Sequence, residues 1–276
     1  MIGGHIAVHL SVRRLNGASE VPALLGTDFD GRRTGDPEDV IYGGLDDPAH
    51  RERVPGLVEL MGDAAAPKRE RFLACVALTT WGEEAGYNAV IEAAADPGKA
   101  PWYDILIDRK FSVDNTFAQL AVAVADSDDI APEKGTADRR IAAFRALVGI
   151  ADREYFDDRL GEILDRDTVT ALLDDIRDVV QRGVASLSAG KSARFDLATQ
   201  LVDLAAAVAT IDGAQAVELA TTVLSAAAHH RPLVHALTVV HRVHGPEREQ
   251  FGEYVMAVGD EDVREQAKRA LEARRN

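Results

Sequence analysis

The sequence is short of the residues that build disulfide-bonded, membrane-spanning and β-sandwich proteins. It contains one cysteine, Cys75, so an internal disulfide is excluded. Aromatic residues make up only 5%, so alanine and leucine must fill the interior, which suits close helix packing. No run approaches the roughly 20 apolar residues that cross a bilayer, and residues 1–14 lack the features of a secretory signal. We therefore predict a cytoplasmic protein with no membrane partner.

Basic residues are also scarce. The 276-residue chain has 31 Lys and Arg against 46 Asp and Glu, a formal net charge of −15. Such a field repels phosphate backbones, so nucleic acid is disfavoured as a partner, and it attracts basic proteins. A net charge of this size also keeps a protein soluble, and both interpretations stay open at this point.

Helical periodicity is the main pattern that the sequence does contain. Between 195 and 211, apolar residues recur at steps of four, three, four and three, which places them on one helix face. Asp212-Gly213 then marks a helix end, because glycine adopts a left-handed turn without a Cβ clash. Strand-like alternation is confined to 5–12. Helices are predicted over 114–125, 136–150, 168–187, 195–211 and 214–228, and the fold class is all-α.

One helical hairpin has a counterpart elsewhere in the chain. The stretch ACVALTTWGEEAGYNAVIEAAADP, residues 74–97, has the pattern of two helices joined by Gly82. A matching segment places Gly245 at the equivalent position, 163 residues later, which is close to four times 41. Segments 54–97 and 232–273 resemble HEAT-like repeats, in which hairpins of about 40 residues stack on one another.

The resemblance implies an α-solenoid of HEAT-like helical hairpins over residues 54–276. A globular all-α bundle is the alternative, because ordinary helical hairpins mimic such degenerate motifs. Residues 1–53 are rich in glycine and turn signals, and we predict that they form an irregular N-terminal cap or a functional loop. Residues 97–113 have the character of an insertion between repeats.

Signatures of catalysis, metal binding and cofactor binding are missing. Five of the eight histidines lie between 229 and 244, but His235 and His244 would stand about 180° apart on a helix. Gly190-Lys191-Ser192 lacks the upstream glycine and the strand of a phosphate-binding loop, so we predict a loop in which Ser192 caps the next helix. No catalytic, metal or cofactor residue is predicted, and a non-enzyme is favoured.

Two features are typical of partner binding. Residues 152–178 hold ten acids against four arginines, and Asp174 and Asp178 share a helix face at a spacing of four. The insertion presents two adjacent aromatic residues, a type that anchors interfaces. The acids can equally form a solvated face, and the aromatics can plug a gap between repeats. The predicted partner-binding residues are Trp102, Tyr103, Asp157, Asp158, Asp174 and Asp178.

The functional hypothesis is a non-catalytic module that binds another protein, a basic one given the acidic charge, since helical repeats offer extended surfaces and little catalytic enclosure. Its more specific form is a bacterial immunity or antitoxin-like protein that neutralises a basic toxin, by analogy with other small acidic proteins. The alternatives are a nucleic-acid enzyme of the HEAT-like DNA glycosylase type, which requires a basic groove, and an assembly scaffold. Self-association through an exposed end of the array is compatible with each of these.

Overall fold

A computed structural model describes residues 24–105, 107–108 and 113–273, and these form an all-α structure with one short hairpin. The first helices are α1 (Pro37–Asp46), α2 (His50–Gly62), α3 (Lys68–Thr80), α4 (Glu84–Ala95), α5 (Thr116–Ala125), α6 (Ile130–Glu133), α7 (Ala137–Val148) and α8 (Leu160–Ile163). The others are α9 (Arg166–Ala171), α10 (Leu173–Ser188), α11 (Leu197–Val208), α12 (Gly213–Ala226), α13 (His230–Arg242), α14 (Pro246–Val258) and α15 (Glu261–Glu272). A 3₁₀ turn (Pro97–Lys99) and the antiparallel strands β1 (Ile107–Asp108) and β2 (Val113–Asp114) separate α4 from α5.

Aspartates begin many of these helices. In five of them an N-terminal aspartate side chain accepts a hydrogen bond from a backbone N–H of the first turn, which contributes about 1 kcal/mol per helix. The five capping residues are Asp36, Asp165, Asp196, Asp212 and Asp260. Part of the acidic excess therefore supports local structure. Ser192 does not cap α11, because Asp196 takes that position and bonds the Thr199 N–H.

The two hairpins that share a sequence pattern also share a backbone geometry. Gly82 has a φ of +71° between α3 and α4, and Gly245 has a φ of +80° between α13 and α14. Side chains other than glycine adopt this region at a cost, which explains the glycine at both turns. Shifted by 163 residues, α3 and α4 overlap α13 and α14 to within one residue at either end.

The helices pack in two rows. In row one, α1, α3, α5, α8, α11, α13 and α15 each pack on the next member. In row two, α4, α7, α10, α12 and α14 do the same, and α2 lies beside α4 across a groove. Consecutive helices of different rows, such as α3 and α4 or α11 and α12, pack together and join the rows.

The core lies between the rows and is built from small side chains. All twelve residues of α11 are buried, among them six alanines and valines that allow close approach of its neighbours. Two buried arginines, Arg140 and Arg248, donate their Nε–H to the Val124 and Val240 carbonyls, at 2.9 and 3.1 Å. Each therefore satisfies a carbonyl group near the end of the preceding row-one helix.

The segment predicted to be irregular contains a regular helix. Helix α1 occupies residues 37–46, and its start carries the expected signals of an Asp36 cap and a first-turn Pro37. The glycines that indicated a turn serve packing instead, because a Cβ on Gly44 would lie 2.5 Å from the Trp81 indole nitrogen. That nitrogen donates to the Ile41 carbonyl at 2.7 Å. The segment with strand-like alternation at 5–12 lies outside the described residues.

The helix predicted over 168–187 is interrupted. Leu172, with φ −114° and ψ 11°, separates α9 from α10, and its side chain is completely buried. No glycine or proline marks this break, so the sequence pattern gives no sign of it. Along the described part of the chain, no helix is both long and apolar enough to cross a membrane.

Candidate functional site

A groove lies between α2, α4 and the turn that follows α4. It has a volume of about 460 Å³, which falls within the range of ligand and side-chain pockets. Its apolar wall consists of Val58, Met61, Ala89, Ala93 and Trp102. We call it the α2–α4 groove.

Trp102 lines this groove and is 3% exposed. Its ring meets Phe72 edge-on, with ring centroids 6.1 Å apart. Its Nε1–H has no acceptor among the described residues, which costs about 1–3 kcal/mol for a buried donor. Trp102 thus packs on Phe72 of α3 and also forms part of the groove wall.

Val58 contributes an exposed apolar side chain to the wall of this groove. Its side chain is 39% exposed, and only Val258 is a comparably exposed large hydrophobic residue among those described. Val258 lies at the end of α14 and lines no groove of this kind. Tyr103, next to Trp102, does not line the groove; it is half-buried, with its hydroxyl 3.5 Å from an Arg194 nitrogen.

The groove is lined by two acidic and two basic side chains. Lys99 pairs with Asp96 at 2.7 Å, and the Arg71 Nε–H donates to the Met61 carbonyl at 2.9 Å. Glu92 lines the groove, is exposed, and has no ion pair within the described structure. An exposed carboxylate therefore lies beside the apolar wall of the groove.

Six of the ten acids between 152 and 178 form ion pairs with arginines. Asp152 pairs with Arg182, Asp157 with Arg159, Asp158 with Arg231, Asp165 with Arg140, Asp174 with Arg177, and Asp175 with Arg145. The pairs of Asp152, Asp158, Asp165 and Asp175 join different helices, or a helix and the connection between α7 and α8, which is a structural role. The acidic cluster is therefore less available to a partner than its composition indicates.

Asp174 and Asp178 lie at the surface, as do Glu162, Asp165 and Asp167 of the same cluster. Asp174 and Asp178 lie on α10; the Asp174 side chain is 94% exposed, 3.5 Å from Arg177, and Asp178 has no ion pair in the described structure. Asp158 differs, since its side chain is only 6% exposed. The six predicted residues thus occupy three places: the turn after α4, the connection between α7 and α8, and α10.

A buried polar cluster that sequence reasoning missed lies at the Gly82 turn. Lys134 Nζ lies 2.9 Å from His50 Nε2 and also pairs with Glu83. His50 is 3% exposed, stacks near Trp81, and has its Nδ1 2.8 Å from the Asp47 carbonyl. Burial, together with the Lys134 charge, lowers the pKa of His50, so its neutral form is favoured. The cluster joins α2, α6 and the α3–α4 turn.

The remaining candidate groups have structural surroundings. His230 and His229 contact the capping residues Asp260 and Asp196, at 2.8 and 3.5 Å. No three metal-binding side chains come together within the residues that the structure describes. Cys75 is fully buried, and burial raises the pKa of its thiol to about 12, as expected for a small core residue.

Comparison with known proteins adds no family: no family model, no curated protein and no solved structure matches the chain.

Proposed function

We propose that the chain is a non-catalytic protein-binding module that receives an apolar side chain of its partner in the α2–α4 groove. The observation that carries the proposal is the groove itself, a cleft of about 460 Å³ with an apolar wall that includes the exposed Val58 and the buried Trp102. A few side chains that fill well-packed pockets carry most of the binding energy of protein interfaces.

We further propose that the partner is basic. Glu92 offers an unpaired carboxylate in the groove, and Asp174 and Asp178 lie exposed on α10, in the same row of helices, with α7 between α4 and α10. The net charge of −15 favours association with a basic protein over nucleic acid. An immunity protein that neutralises a basic toxin is the most specific form of this proposal, and charge is its only support.

The architecture we infer for this module is an α-solenoid of HEAT-like hairpins. Its support is the order of packing, in which each helix lies against the next member of its row, and the recurrence of one hairpin after 163 residues. A DNA glycosylase of similar architecture requires a basic groove, whereas the α2–α4 groove is lined by as many acids as bases and the chain has a net charge of −15. A scaffold would bind several partners weakly and would not form one stoichiometric complex.

The proposal is tested with a matched pair of variants, Val58→Asp in the groove and Val258→Asp outside it. The wild-type chain captures partners from the lysate of its source at low and high salt, and the stoichiometric partner is purified for titration calorimetry. We expect Val58→Asp to weaken that complex at least about tenfold, which is 1.4 kcal/mol, and Val258→Asp to bind as wild type. Equal affinity of both variants and wild type would exclude the groove as the binding site.

A second arm tests the charge. Glu92→Lys, Asp174→Lys and Asp178→Lys should each weaken the complex and flatten the dependence of its affinity on salt. A complex whose affinity is indifferent to salt and to all three reversals would contradict a basic partner while leaving the groove intact.

A further inference from the structure

Helices α2 and α4 do not close against each other, in contrast to the other neighbours in row two. There, α4, α7, α10, α12 and α14 each pack on the next member, whereas α2 faces α4 across the α2–α4 groove. The stretch of α4 that lines the groove begins at Ala89 and ends beside Asp96, about 10 Å further along. The apolar wall of the groove is therefore long and narrow.

The groove has room for several aliphatic side chains. A cavity of about 150 Å³ holds one benzene-sized group, so the groove volume of about 460 Å³ accommodates about three groups of that size. Alternate side chains on one side of an extended chain are about 6.7 Å apart, and three of them span about 13 Å. This is close to the length of the groove along α4. An extended segment with alternating apolar residues therefore fits the groove.

A segment with this pattern precedes the described residues in the same chain. In an extended conformation, the alternation at 5–12 would place four apolar residues on one side. These residues are Ile6, Val8, Leu10 and Val12. Arg13 and Arg14 follow them directly. The sequence thus contains an apolar segment with a basic end.

The described structure begins on α2, the helix that forms one wall of the groove. The Leu24 carbonyl accepts a hydrogen bond from Arg53 of α2 at 2.9 Å. The Leu24 side chain lies against Gly56, where an added Cβ would approach it to 3.0 Å. Leu24 is therefore attached to the helix that also contributes Val58 to the groove.

The distance from Leu24 to the groove is within reach of the preceding residues. Gly56 and Val58 are about 160° apart around α2, so the path leads nearly half-way round a helix, which is about 17 Å. Residues 15–23 can span up to about 30 Å when extended. Residues 6–12 can therefore reach the groove of their own chain.

The exposed side of α2 along this path carries more acids than bases. Glu52 and Glu59 are exposed and lie seven residues apart, on one face, and Arg51 is the exposed base beside them. Arginines that follow an apolar segment in the groove would lie near these carboxylates. Exposed ion pairs contribute little energy, so the apolar side chains would supply the affinity and the charges the orientation.

We propose that residues 6–12 occupy the α2–α4 groove in the free chain, with Arg13 and Arg14 beside the acids of α2, and that a partner displaces them. The segment is basic and apolar, which is the chemistry proposed for the partner, so the two compete for one site. Displacement by a partner rests on the proposed function, whereas occupancy in the free chain does not.

Photo-crosslinking of the free, full chain tests the occupancy. A small aliphatic diazirine amino acid is placed at position 58, or at position 258 as the control, and the linked peptides are identified by mass spectrometry. We expect position 58 to crosslink to residues 6–14 and position 258 not to do so. Leu10→Asp should reduce this crosslink at least about tenfold, because it removes an apolar contact and brings a charge into the groove.

The matched control is Ser11→Asp, which adds the same charge on the other side of the extended segment and should stay within about threefold of wild type. Failure of position 58 to link to residues 6–14, equal links from positions 58 and 258, or a link unaffected by Leu10→Asp would each overturn the proposal. Mixed unlabelled and ¹⁵N-labelled chains show which chain is linked, and a link only between two copies would also overturn it. Should Leu10→Asp not fold, the pattern from positions 58 and 258 in the otherwise wild-type chain decides.

The displacement is tested separately, by titration calorimetry with the purified partner. Leu10→Asp should bind the partner more tightly than wild type, because the groove is then free in a larger fraction of the molecules. Unchanged affinity, together with an intact crosslink from position 58 to residues 6–14, would overturn the displacement and the groove as the partner's site, while the occupancy in the free chain stands.

Discussion

The α2–α4 and α12–α14 pairs occupy matching positions in row two, yet only the first has a groove between its helices. Helices α12 and α14 pack directly against each other, and α14 is followed almost at once by α15. After α4, by contrast, about twenty residues precede α5, and they bring Trp102 against α2 and α4. The groove therefore lies where a long connection follows α4.

This difference indicates where function is to be sought in such a molecule. Regular stacking buries the helix faces and leaves little concave surface, whereas an inserted segment holds two neighbouring helices apart and supplies the wall of a pocket. The two glycine turns differ as well. The Gly82 turn carries the Lys134–Glu83–His50 cluster, whereas the Gly245 turn is followed directly by Pro246.

The largest expected effect comes from replacing Trp102, which distinguishes the α2–α4 pair from the α12–α14 pair. Trp102→Ala should lower the free energy of unfolding by about 3 to 5 kcal/mol, because it leaves a large cavity beside Phe72. Trp102→Phe should cost less than about 1.5 kcal/mol, since it keeps an aromatic ring and removes the N–H that has no acceptor among the described residues. Urea denaturation measures both, and equal losses would contradict the account of Trp102.

The polar cluster at the Gly82 turn predicts the next effect. Lys134→Met leaves Glu83 and His50 without their shared partner and should destabilise the protein by about 2 to 3 kcal/mol. Since burial lowers the pKa of His50, stability is also lost as the pH falls below its ordinary value of 6.5. In His50→Gln, the α3–α4 amides should not lose protection from hydrogen exchange as the pH falls below 6.5. If they lose as much protection as in wild type, His50 is not the group responsible.

Two glycines allow the tight contact of α4 with α3 to be compared with the looser contact of α14 with α15. A Cβ on Gly86 would lie 2.4 Å from the Thr79 backbone nitrogen, so Gly86→Ala must push α3 and α4 apart, at about 2 kcal/mol. On Gly252 of α14 the nearest atom would be a Leu271 side-chain carbon at 2.8 Å, which can move, so Gly252→Ala should cost about 1 kcal/mol or less. Thermal unfolding compares them, and the reverse order would be inconsistent with the packing described.

Much of the secondary structure could be predicted from the sequence, because helices with a clear apolar stripe need no tertiary knowledge. The predicted ranges 195–211 and 214–228 contain α11 and all but the first residue of α12, and the all-α class is confirmed. Helix α1 was missed because Gly43 and Gly44 indicated turns, although Gly44 is needed for contact with Trp81. The break at Leu172 was missed because burial, and no local signal, determines it.

The candidate site was much less accessible to sequence reasoning. Trp102 was singled out as an aromatic residue in an insertion, but Val58 and Ala89 belong to separate helices and become neighbours only through packing. The charge of Asp157 and Asp158 can be read from the sequence, but only the fold determines which arginines pair with them. A signal for Val58 and Met61 existed in their spacing of three on a helix, but it is also the spacing of ordinary core residues.

The most direct measurement of the central claim is site-specific photo-crosslinking with the purified partner, using a benzophenone amino acid at position 58 or at position 258. Both positions are exposed valines in wild type, at 39% and 42%, so the two probes differ in location and not in accessibility. The account predicts a stoichiometric crosslink from position 58 and none from position 258. Crosslinking from position 258 alone would show that the partner binds elsewhere than in the α2–α4 groove.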